Sequence, residues 1–195
     1  LNVVNGGKEA VDTLLTDERV QAVSFVGSTA IAKYVYNTAT EHDKRCQALG
    51  GAKNHAIVMQ DAEMENTVNA LIGAAFGSSG ERCMSISVAV AVGSETADNL
   101  IAGLKSKMHN LKVGNFDDSN NDFGPLITKD HMKKVEQYIT SAEAQGADIV
   151  VDGRSVNVKG CENGFYVGGT LIDGVQASME SYQNEIFGPV LQVVR

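Results

Sequence analysis

Along most of the chain, short continuous apolar runs alternate with stretches in which apolar residues recur every three or four positions. Residues 1–4 read as a strand, closed by a turn at Asn5-Gly6-Gly7. Ala10, Val11, Leu14 and Leu15 carry the spacing of an amphipathic helix over 8–15. A strand is predicted at 22–26, and Ser28-Thr29 then stand where a helix cap is favoured, ahead of a helix running through Tyr34 to Ala39. Two more apolar runs, 45–49 and 55–59, flank Gly50-Gly51. Asp61 is placed to cap a helix bearing Val68, Leu71, Ile72, Ala75 and Phe76. The run 86–92, apolar but for Ser87, predicts a strand buried on both faces. A helix over 95–111 follows, then a surface loop rich in Asn and Asp at 114–124. Thr128 caps a helix to about Gln145, with Gly146 as its C′ residue. Strands are predicted at 147–151, at 165–172 with a bend at Gly168-Gly169, and at 191–194. This order predicts an α/β fold with a largely parallel sheet.

Composition narrows the function classes. Of the 195 residues, 43% are apolar and 21% charged, as in an ordinary globular protein. The balance of 16 Lys+Arg against 24 Asp+Glu gives a net charge of −8, which argues against nucleic acid as a partner. No apolar run approaches the ~18 residues of a membrane span, so no membrane partner is expected. Both ends, at Leu1 and at Val193-Val194-Arg195, fall in apolar sequence, and the expectation is that they lie inside a longer protein. Cys46, Cys83 and Cys161 form no CxxC pair, and His42, His55, His109 and His131 have no ligand spacing, so neither a disulfide framework nor a metal site is expected. Free thiols fit a reducing compartment, and a cytoplasmic location is expected, or a mitochondrial matrix one for a eukaryotic parent.

The stretch that carries chemistry is Gly77-Ser78-Ser79-Gly80-Glu81-Arg82-Cys83-Met84-Ser85. Small residues follow a helix, and Cys83 sits at the mouth of a buried strand. Glycine and serine leave room for a substrate beside the sulfur, and loop N–H groups suit an oxyanion. A cation beside a thiol raises its thiolate fraction, and Arg82 is adjacent in sequence. From spacing alone, Cys83 is equally well read as a buried structural cysteine.

Phe76 to Cys83 resembles the cysteine motif of the aldehyde dehydrogenase superfamily. Phe25-Val26-Gly27-Ser28-Thr29 resembles its nucleotide-binding strand–helix turn, and Glu185-Ile186-Phe187-Gly188-Pro189 its E-x-F-G-P motif, in the same chain order. The resemblance implies that Cys83 attacks an aldehyde and keeps the oxidised carbon as a thioester, with NAD as hydride acceptor. It also implies that Gly27 and Ser28 lie near the cofactor pyrophosphate at a helix N-terminus, that Glu185 holds the nicotinamide ribose and that Phe187 packs against it. Residues 1–52 are then the second half of a Rossmann-type NAD-binding domain, and 53–195 a catalytic domain incomplete at its C-terminus. The competing reading of each residue is structural: Ser28 as a mere cap, Glu185 as a surface charge, Phe187 as core.

Hydrolytic members carry a Glu before the Leu-Gly-Gly-Lys segment that activates water. Here Ala48 stands in its place, and one residue is inserted before Lys53. Alanine takes no proton, so a thiol such as coenzyme A is the better acceptor of the thioester. Gly51-Ala52-Lys53-Asn54-His55, Gly80-Glu81-Arg82-Cys83-Met84 and Lys159-Gly160-Cys161-Glu162-Asn163-Gly164 resemble the CoA-acylating methylmalonate-semialdehyde dehydrogenase branch. Its substrates carry a carboxylate beside the aldehyde and are decarboxylated to acetyl-CoA or propionyl-CoA. Arg82 is then the natural carboxylate clamp, set against the alternative of a local ion pair with Glu81. A homo-oligomeric parent, and a 195-residue piece without turnover of its own, are expected on the same basis.

Overall fold

The computed structural model describes residues 1–195. It divides into two compact units, residues 1–51 and 52–195.

The first unit contains helix α1 (Lys8–Thr16), strand β1 (Ala22–Val26), helix α2 (Thr29–Glu41) and strand β2 (Arg45–Leu49). β1 and β2 pair in parallel, Ala22 opposite Arg45 through Val26 opposite Leu49. α2 is the crossover between them, as a parallel pair requires. Leu15, Val35 and Ala39 are buried here against Val23, Phe25 and Cys46. Residues 1–4 do not form the expected strand. They have no regular structure and join no ladder, since β1 and β2 pair only with each other, and Leu1, Val3 and Val4 are exposed.

The second unit is built on strands β3 (Asn54–Val58), β4 (Ile86–Ala91), β5 (Asp148–Val151), β6 (Thr170–Asp173) and β7 (Val190–Val194). Their order across the sheet is β3-β4-β7-β6-β5, parallel throughout except for the antiparallel edge strand β5. Helices α3 (Met64–Phe76) and α4 (Ser94–Met108) pack with Ala89, Ala91, Leu171, Leu191 and Val193. Helix α5 (Lys129–Ala144) and the short α6 (Glu180–Gln183) pack with Ile172, Val190 and Val194. Neighbouring residues in β6 and β7 therefore feed opposite faces, which is the strand period of two. The strands β4 and β7 are largely buried on both faces, and this is why they read as apolar runs broken only by Ser87 and Gln192.

Three local expectations change. α3 starts at Met64 and is capped by Glu63, whose carboxylate accepts from Asn66 N at 2.8 Å; Asp61 is taken up in the turn before it, where Ala62 N bonds Met59 O. The run 165–172 is strand only at Thr170–Asp173, because Phe165 O accepts from Leu126 N and Gly168 N donates to Gly153 O instead of to a strand. α6 is a single turn that the sequence pattern does not predict.

Candidate active site

In the first unit, β1 ends at Val26, Gly27 N donates to Leu49 O at 3.1 Å, and the chain turns into α2 at Ser28. Ser28 occupies the N-cap position in extended conformation, but its side chain makes no capping hydrogen bond. Thr29 Oγ1 accepts instead from Gly51 N at 3.1 Å. The hydroxyl of Ser28 and the first amides of a 13-residue helix are thus left together at one end of the strand, a combination suited to an anion.

The second unit holds the cysteine segment. α3 breaks at Gly77, and the 3-10 turn Gly77–Gly80 carries left-handed backbone at Ser78 (φ 53°), Ser79 (φ 57°) and Gly80 (φ 69°). Left-handed geometry at two serines is costly and is held from outside: Ser79 Oγ donates to Gly124 O at 2.7 Å, and Ser78 Oγ accepts from Arg82 Nε at 3.0 Å. Gly80 is in van der Waals contact with the backbone of Gly188; a Cβ there would overlap the Gly188 carbonyl. This close approach brings the cysteine segment against the E-x-F-G-P segment.

Cys83 lies in the turn between Arg82 and Ser85, closed by Ser85 N donating to Arg82 O at 3.1 Å, and it is exposed. It is therefore not a buried structural thiol. Arg82 makes no ion pair; Glu81 turns away, accepting from Ile127 N at 3.3 Å with His131 Nε2 3.6 Å off. Arg82, Ser85, Glu185, Phe187 and Asn54 line one cleft. The half-buried Glu185 carboxylate takes part in no hydrogen bond or ion pair, and Ser85 Oγ is buried without a partner. Phe187 is 38% exposed, in left-handed conformation (φ 57°), with its carbonyl accepting from His131 Nε2 at 2.6 Å.

Four contributors have no role of their own assigned from the sequence: Lys53, Asn54, Ser79 and His131. Lys53 Nζ donates to Ser181 O and Asn184 O, each at 2.7 Å. Burial pushes its pKa down to about 8, against an opposing pull from Glu185. Asn54 Nδ2 donates to Cys83 O and Ser85 O at 2.8 and 2.9 Å. Lys53 and Asn54 stand inside a motif that the resemblance singles out, but their partners lie up to 131 residues away and no local pattern points to them.

The profile of the aldehyde dehydrogenase family matches residues 1–195, and the chain belongs to that family. It is 57% identical over all 195 residues to the malonate-semialdehyde dehydrogenase of Pseudomonas aeruginosa, covering 39% of that protein. It superimposes on the crystal structure of methylmalonate-semialdehyde dehydrogenase from Oceanimonas doudoroffii with a TM-score of 0.96 at 68% identity, covering 98% of this chain and 39% of that one. A betaine aldehyde dehydrogenase of Staphylococcus aureus in complex with NAD+ matches with a TM-score of 0.91 at 27% identity, over 98% of this chain and 38% of that one. The chain thus spans about two fifths of the length of these relatives. Its mixed α/β fold with parallel-dominated sheets is that of aldehyde dehydrogenases.

Proposed function

We propose that the chain is the part of an NAD-dependent, CoA-acylating malonate- or methylmalonate-semialdehyde dehydrogenase that carries the nucleophile. The observation that carries this reading is the cysteine turn itself: an exposed Cys83 directly follows Arg82, whose guanidinium has no carboxylate partner and which lines the same cleft as Glu185 and Phe187. A guanidinium without a carboxylate partner is what a substrate carboxylate pairs with, in bidentate fashion. The names of the relatives from Pseudomonas and Oceanimonas, which share more than half of their matched residues with this chain, support the semialdehyde class.

In this reading Cys83 Sγ bonds to the aldehyde carbon while Arg82 holds the substrate carboxylate. NAD, when bound, supplies the hydride acceptor that makes the step an oxidation. Cys83 then retains the carbon as a thioester, and after loss of the carboxylate as CO2 or bicarbonate the sulfur is displaced by the thiol of coenzyme A. Ala48 supplies no base for water, which favours the thiol. Each unit carries residues that suit part of a dinucleotide: in 1–51 the Ser28 hydroxyl and α2 amides for pyrophosphate, with the Gly27 turn beside them, and in 52–195 the unpartnered Glu185 carboxylate for ribose hydroxyls, with Phe187 alongside. We place the nucleotide-binding part at 1–52 and the catalytic part at 53–195. The parent is read as a cytoplasmic homo-oligomer.

The test is NADH formation from malonate semialdehyde by the full-length protein, with and without coenzyme A, and identification of the product. Acetyl-CoA formed only with CoA present is the expected result. Free acid formed at the same rate without CoA overturns the acylating assignment. The 195-residue chain alone is expected to produce no NADH.

A further inference from the structure

Lys53 and Asn54 are consecutive residues at the entry to β3, and their side chains serve two different segments. Asn54 Nδ2 spends both of its hydrogens on main-chain carbonyls of the nucleophile turn, those of Cys83 and Ser85. Lys53 Nζ holds the carbonyls of Ser181 and Asn184, the second of which immediately precedes Glu185. Successive residues of extended chain point to opposite sides, so sequence neighbours can reach segments that lie 29 and 131 residues away. The sheet accommodates this arrangement. The β3–β4 register slips between Asn54, opposite Ile86, and His55, opposite Val88. The Lys53 end is itself anchored: Ser181 Oγ accepts from Gln192 Nε2 at 2.7 Å, and both residues are fully buried.

We propose that Lys53 and Asn54 act as a two-sided clamp that sets the position of the Cys83 turn relative to the Glu185–Phe187 turn. Both are positioning residues: neither needs to touch a reacting atom, and each acts through main-chain carbonyls. The inference rests on Cys83 as nucleophile and Glu185 as ribose ligand, whose separation must hold because a displacement of about 1 Å in a reacting geometry costs on the order of a hundredfold in rate.

The 195-residue chain supplies its own controls, because Cys46 and Cys161 are reference thiols. Iodoacetamide pulses read by peptide mass are expected to label Cys83 fastest. Asn54→Ala should change the Cys83 rate by about fivefold or more while Cys46 and Cys161 keep theirs. A trifluoromethyl probe on Cys83 should give a single sharp 19F line in the unsubstituted chain and a broadened or split one in the variant. If Asn54→Ala does not fold, Asn54→Ser, which keeps one donor, is read in the same way. Lys53→Met should accelerate amide hydrogen exchange across 181–188. A folded Asn54 variant with an unaltered Cys83 rate and 19F line, or unchanged exchange in folded Lys53→Met, overturns the clamp alone. A Cys83 in the unsubstituted chain that reacts no faster than the other two thiols overturns the nucleophile reading and the clamp with it.

Discussion

Left-handed backbone at Ser78, Ser79, Gly80 and Phe187 gathers at the contact between the cysteine segment and the E-x-F-G-P segment. Only one of the four is a glycine, and it is the one with no room for a side chain. Gly80→Ala has to place a methyl group against the Gly188 carbonyl while keeping a positive φ. It is expected to lower unfolding stability by about 3 kcal/mol or more, seen as a reduced urea midpoint. Lys53 gives a prediction of a different kind. Its folded pKa of about 8 lies below the usual value of 10.5, because burial disfavours the charged form more than Glu185 favours it. Between these values the unfolded chain binds more protons than the folded one, so Lys53 makes stability rise with pH across that window. The difference in urea midpoint between the unsubstituted chain and Lys53→Met should therefore grow in favour of the former from pH 8 to 10.5; a flat difference contradicts the burial argument. The neutral amine still has hydrogens for both carbonyls, so the contacts themselves need not be lost.

At the scale of elements, two helix starts that look alike in sequence behave differently. Thr128 accepts from His131 N at 3.2 Å and caps α5, whereas Ser28 occupies the same position on α2 without making the bond. Both residues are exposed. Thr128→Ala is expected to cost about 1 kcal/mol, and Ser28→Ala to change stability by less than about 0.5 kcal/mol. In the full-length protein the Ser28 variant should instead bind NAD more weakly, measured by isothermal titration; equal affinity would return Ser28 to a neutral surface role. Strong periodicity made α1 to α5 and most strands readable, because helix and sheet faces are written locally. What the local pattern does not contain depends on partners far along the chain. Residues 1–4 have strand composition but join neither edge of the β1–β2 pair. Tyr166 and Val167 are buried as a strand would be, yet the backbone around them bonds to the turn at Gly153 and to Leu126. α6 is a single turn with no period to read. In the site, Cys83, Arg82, Glu185 and Phe187 stand in contiguous motifs, while the reach of Lys53 and Asn54 exists only after folding.

At the scale of the whole chain, the two units differ in how much they can bury. Residues 52–195 enclose both faces of a five-stranded sheet, with two apolar clusters that include Leu100, Leu104, Ile139, Leu171 and Leu191. Residues 1–51 have a two-stranded sheet and one apolar cluster of three buried residues, Leu15, Val35 and Ala39. Two strands are a marginal sheet, and a segment of that length leaves a large share of its surface in water. The parallel pair also has to close a crossover loop before its ladder forms, so its few contacts must offset the entropy of ordering all of α2. Expressed alone, residues 52–195 should melt cooperatively and keep Cys83 as the fastest of the thiols they contain. Residues 1–51 alone should show no cooperative transition by circular dichroism and complete amide exchange within seconds. A cooperative melt of that segment would mean that its three-residue core and short sheet suffice, and that the burial argument understates what α1 and α2 contribute.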